Sequence, residues 1–174
     1  MIKMSTEIKL LNEKAVIPKR AHETDSGYDL TFIGFDKIIG DVIIFKTGIA
    51  LSPPSGYYWE IVPCSRIVKQ GLSLANSIAI IDEDYRGELL VALRVHHSYA
   101  GDGISKSQQF ASGIIDFEGN RFRTLSSLAE AIIEQKPVLT QIILRKRYSS
   151  KFEIVENLSE THRGDGGFGS TELS

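Results

Sequence analysis

Residues 76–88 read NSIAIIDEDYRGE. An apolar run, Ile78-Ala79-Ile80-Ile81, meets an acidic cluster, Asp82-Glu83-Asp84. Tyr85 follows at once, and Arg86-Gly87 opens a second apolar run. Two apolar runs about a short polar turn predict a β-hairpin. Its turn would hold carboxylates and a phenol at the lip of a buried sheet. There a carboxylate can orient a water, and the ring can stack on a sugar. The plain alternative is a solvated acidic turn. The stretches on either side favour the chemical reading.

Working outward, short apolar and β-branched runs recur between Gly and Pro turns. Strands are expected at residues 7–11, 30–33, 42–45, 48–51, 57–62, 87–95, 138–144 and 152–155, with a Pro53-Pro54-Ser55-Gly56 turn among them. In residues 87–95, Leu89, Val91, Leu93 and Val95 alternate onto one face. Many short strands of this kind predict an all-β sandwich, jelly roll or barrel. Residues 97–136 interrupt the pattern as an insertion, with an extra hairpin expected around Glu118-Gly119-Asn120. A helix is expected near residues 128–136. Ser127 and Glu130 suggest a capping box, Leu128, Ala131, Ile132 and Gln135 one face, and Pro137 the stop.

The 174 residues suit one domain with a substantial core, here residues 1–159, followed by a glycine-rich arm over 160–174. The net charge of -2 gives no reason to expect nucleic acid or an anionic membrane as partner. No apolar run approaches a bilayer span, and the first residues lack the apolar core of a secretory signal. The single cysteine, Cys64, excludes an internal disulfide framework and a cysteine zinc cluster. It suits an intracellular location, cytoplasmic or nuclear.

The arm reads RGDGGFGST over residues 163–171. Residues 164–169 match GxGxxG literally, but no helix has room to follow, so a dinucleotide fold is not indicated. The residues instead suit a phosphate clamp. Glycines let backbone N–H groups wrap an anion. Arg163 offers a bidentate contact, Ser170 and Thr171 add hydroxyls, and Phe168 can stack on a base.

Five short motifs in order resemble those of the trimeric dUTPase family, over most of the chain. They are residues 25–30 (DSGYDL), 63–67 (PCSRI), 76–88, 138–141 (VLTQ) and the arm. The third and fifth are the closest matches. The resemblance implies a distorted jelly-roll or β-barrel with one short inserted helix, assembled as a homotrimer. It implies hydrolysis of dUTP to dUMP and pyrophosphate by in-line water attack on the α-phosphorus, with Mg²⁺ across the phosphates. By resemblance Asp82 is the general base and Tyr85 packs on the deoxyribose. Asn76 reads uracil, while Ser65 and Gln141 contact the phosphates. Phe168 caps the base, and Arg163, Gly169, Ser170 and Thr171 clamp the γ-phosphate. Asp29 supports the metal indirectly, through water. Each site would draw on three copies of the chain.

Two features depart from the family's pattern. Cys64 stands where an arginine is usual, and Arg66 is expected to share its strand face and to substitute for it in binding substrate. A redox role for Cys64 is the alternative. The insertion at 97–136 offers room for a protein partner. Three activities compete: an active dUTP diphosphatase, an attenuated dUTP-binding regulatory homologue, and a dCTP deaminase. Asp82, Tyr85 and the complete fifth motif favour the first.

Overall fold

The structure is a computed structural model, and it describes residues 4–96, 114–115, 121–122 and 124–165. The strands are β1 (Glu7–Leu10), β2 (Tyr28–Asp29), β3 (Gly34–Ile39), β4 (Val42–Lys46), β5 (Ile49–Ser52) and β6 (Tyr57–Pro63). After a 3₁₀ helix at Ser65–Gln70 come β7 (Leu72–Leu74), β8 (Ala79–Ile81), β9 (Leu90–Val95), β10 (Ile114–Ile115) and β11 (Arg121–Phe122). Helix α1 (Leu125–Gln135) and strand β12 (Thr140–Lys146) complete the order. The protein is mostly β with one α-helix, as the sequence predicts.

Two four-stranded sheets carry the fold, ordered β2-β12-β6-β8 and β3-β4-β9-β7. Trp59, Ile61, Ala79 and Ile142 of the first meet Ile43, Phe45, Val91 and Leu93 of the second in one core. Alternation explains this. In β4 only Ile43 and Phe45 are buried, and in β9 only Val91, Leu93 and Val95. Phe32 stacks on Phe45 at 4.7 Å between ring centroids. β1 and β5 form a separate two-stranded sheet, and β10 pairs with β11 where the extra hairpin is expected.

Several expectations need correction. Residues 76–88 do not close a hairpin. β8 pairs with β6 in one sheet, whereas β9 pairs with β4 and β7 in the other. The acidic turn is therefore an arch between sheets, and each flanking strand finds a distant partner. Residues 30–33 are likewise a crossover. The Leu30 N–H donates to the Thr140 carbonyl in the first sheet, and the Ile33 N–H to Lys46 in the second. Residues 152–155 form no strand, and Phe152 and Ile154 are 95% and 101% exposed. The helix starts earlier than expected. Thr124 is its N-cap and shares a reciprocal capping box with Ser127, and Lys136 ends it in the left-handed region at φ 49°. Its buried residues are Leu128, Ala129 and Ile132, so the helix belongs to the main core.

Candidate active site

The arch after β8 presents Asp82 to solvent. Asp82 lines a pocket of about 170 Å³ with Ile80, Ile81, Tyr85, Glu88 and Leu90. The Asp82 carbonyl accepts from the Tyr85 N–H at 3.2 Å, closing a turn. The Tyr85 hydroxyl donates to the Glu88 carbonyl at 3.0 Å. The ring then lies over Gly87, where a Cβ would collide with the phenol. Half-exposed at 42%, the ring is pinned at its tip with one face free.

Both legs of the arch are anchored. At the far leg, Glu88 Oε1 accepts from the Gly48 N–H at 2.8 Å, and the Leu89 carbonyl accepts from buried Thr47 at 2.7 Å. At the near leg, Glu83 Oε2 accepts from Arg147 Nη2 at 2.9 Å. Hydrogen bonds from the Gly56 N–H, then from Ser55 and Arg147, outweigh partial burial and hold the Glu83 carboxyl below the usual range. Arg86 Nη1 donates to the carbonyls of Glu83 and Tyr85, at 2.7 and 2.9 Å.

Asn76 lies on the turn between β7 and β8, exposed. Its carbonyl accepts from the Ile78 N–H at 2.7 Å, two residues on, across Ser77 at φ 62°. A serine held at positive φ in so tight a turn is strained backbone, of the kind that gathers at binding sites. No residue type in the sequence signals it, because Ser is not the residue such a φ selects.

A second group forms at β2 and β12. Asp29 pairs directly with Gln141. The Gln141 side chain fills the space where a Gly27 Cβ would stand, so only glycine lets the amide lie there. The Cys64 N–H donates to the Leu139 carbonyl at 2.8 Å, bringing the second motif beside the fourth. Burial pushes the Cys64 thiol up to about 11, the Asp29 charge adds to the shift, and the Arg66 charge opposes it. The expected strand face is not what brings Arg66 close. Ser65 and Arg66 open the 3₁₀ helix, with Cys64 extended before it, so two-residue alternation does not apply. Ser65 and Arg66 are both exposed.

The two groups stand apart. Asp29 and Asp82 belong to opposite edges of the sheet ordered β2-β12-β6-β8. Asp29 is level with Gln141 and Val62, and Asp82 follows Ile81, the partner of Trp59. Three strand spacings across and four residues along separate them by about 20 Å. Between them, Glu60 accepts from Tyr58 at 3.0 Å and from Arg145 at 2.8 Å. The Arg145 guanidinium holds the Glu60 carboxyl below its usual range.

Arg163 lies in the exposed arm beyond β12. Phe168, Gly169, Ser170 and Thr171 lie outside the described residues, as does most of the insertion. Among the described residues, no three His, Cys, Asp or Glu side chains cluster to hold a metal, and no helix is long and apolar enough to cross a membrane.

The dUTPase family model matches residues 13–100. The chain is 34% identical over 171 residues to the deoxyuridine 5'-triphosphate nucleotidohydrolase of Nautilia profundicola, covering 97% of this chain and 99% of that protein. It is 31% identical over 169 residues to the enzyme of the same name from Clostridioides difficile, covering 95% and 96%. Among solved structures it is similar to the dUTPase of Staphylococcus bacteriophage 80alpha with dUpNHpp. There the TM-score is 0.67 at 23% identity, over 97% of this chain and 99% of that one. A dUTPase of S. aureus phage phi11 that coordinates a structural Mg(II) ion matches with a TM-score of 0.65 at 22% identity, over 90% and 99%.

Proposed function

The chain belongs to the dUTPase family, and from that premise we propose that it hydrolyses dUTP to dUMP and pyrophosphate. The observation that carries the assignment of roles is the arch: an exposed carboxylate, Asp82, beside a phenol ring pinned at its tip. Asp82 orients a water against the α-phosphorus and takes its proton as general base. The Tyr85 ring packs on the deoxyribose, and its fixed position leaves no room for a 2′-hydroxyl. The exposed amide of Asn76 offers a donor and an acceptor to the uracil edge. Ser65 and Gln141 bind phosphate oxygens. Arg163 with Gly169, Ser170 and Thr171 closes on the γ-phosphate, and Phe168 covers the base.

Mg²⁺ suits this donor set because it keeps several waters and needs few protein ligands when phosphates hold it. Half-buried Asp29 would support it through water. Bound there, the ion would neutralise phosphate charge.

Groups acting on one phosphorus must lie within roughly 8 Å of each other, directly or through one water. The separation of about 20 Å estimated from strand spacing therefore supports a site shared between copies. We take the assembly to be the homotrimer usual in the family, with Asp82, Asn76 and Tyr85 from one copy, Ser65 and Gln141 from a second, and the arm from a third. The substrate and the single cysteine fit an intracellular location.

Pyrophosphate release from dUTP with Mg²⁺ tests the activity, against dCTP, dTTP and UTP as controls. Rapid release from dUTP alone is expected. Tight dUTP binding without release would make the protein an attenuated binder, and ammonia from dCTP would make it a deaminase. Asp82→Asn should retain nucleotide binding while hydrolysis falls by about 10²-fold or more. Undiminished hydrolysis would remove Asp82 from the role of base.

A further inference from the structure

We propose that Glu83 is a positioning residue for Asp82, and that it ties the catalytic arch to Arg147, the first residue of the C-terminal arm. This rests on the reading of Asp82 given above. The near leg of the arch leaves the sheet at Ile81, where pairing with β6 ends at Trp59. Asp82 has no side-chain partner among the hydrogen bonds and ion pairs found, so the backbone on either side sets its direction. That backbone is held through the next side chain. Glu83 receives Arg147 at 2.9 Å and is also bonded by the Gly56 N–H and the Ser55 hydroxyl. The Arg147 N–H donates to the Gly56 carbonyl at 2.8 Å, closing a ring of contacts among arch, turn and arm root.

An isolated exposed ion pair contributes little. Here one carboxylate gathers three donors from two other segments, and its side chain is only 28% exposed. Beyond Arg147 the chain is exposed as far as Asp165. Glu83 is thus the point where the position of the arm's root reaches the carboxylate that aims the water. A shift of about 1 Å in such a group can cost on the order of 10²-fold in rate.

The experiment compares kcat and KM for dUTP in Glu83→Ala, Glu83→Gln, Arg147→Ala and the Glu83→Ala/Arg147→Ala double variant, with affinity for a non-hydrolysable dUTP analogue as second readout. Expected for Glu83→Ala is a fall in kcat of about tenfold or more with KM and analogue affinity within about twofold. Glu83→Gln, which keeps an acceptor for all three donors, should recover most of kcat. The double variant should lose less than the product of the two single losses, as a coupled pair does. Three results would overturn the inference: unchanged kcat in Glu83→Ala, a loss confined to KM or melting temperature, or multiplicative losses in the double variant. If Glu83→Ala does not fold, Glu83→Gln and Arg147→Ala carry the test, and independent behaviour of Arg147 refutes it. A wild-type protein that binds dUTP without releasing pyrophosphate would instead overturn the proposed activity.

Discussion

Cys64 stands where a guanidinium is usual in the family, and its surroundings decide what it can do. Burial and the Asp29 charge push the thiol up to about 11, with Arg66 opposing. At neutral pH the reactive thiolate is then on the order of 0.1% or less of the population. Alkylation by iodoacetamide should be slow at pH 7.5 and should rise about tenfold per pH unit towards 11. Removing the opposing charge with Arg66→Ala should slow it further at any fixed pH. Rapid labelling of native protein at pH 7.5 would contradict this account and restore a redox role. Residue types at Asp82, Tyr85 and Gln141 were legible because their chemistry is carried by the side chain itself. The reason for Gly27 was not, since it depends on Gln141 lying against it across two strands.

Short strands were legible where alternation was strong, as in β4, β6 and β9. Pairing was not. The arch between β8 and β9 reads locally as a hairpin, yet the two strands enter different sheets. Local pattern reports which face of a strand is apolar and carries no information about which distant strand will pair with it. The same limit applies at residues 152–155, whose alternation is genuine but whose side chains meet nothing within one copy. Helix α1 was legible as a helix, with its start misplaced because Thr124 and Ser127 make the capping box that Ser127 and Glu130 suggested. Its burial makes it part of the core. Leu128→Ala should cost about 2–5 kcal/mol in urea unfolding. Thr124→Ala should cost about 1 kcal/mol. A Leu128→Ala variant as stable as the parent would mean the helix is dispensable decoration.

For the whole molecule, the separation of Asp82 from Gln141 makes a test by mixing. Asp82→Asn and Gln141→Ala chains should each be nearly inactive. Co-refolded in equal amounts, they should recover up to about a quarter of wild-type activity if a site takes these residues from different copies. No recovery, with mixed assemblies formed, would place both residues in one copy's site. By itself the sequence determined the fold class, the family motifs and the chemical repertoire, because these reside in side-chain type and short-range order. Only the tertiary structure decided that the acidic turn is an arch between sheets, that Glu83 anchors it, and that the two functional groups stand about 20 Å apart. Those are consequences of strand pairing, and hydrogen bonds between backbones distant in sequence leave no mark on the residues that make them.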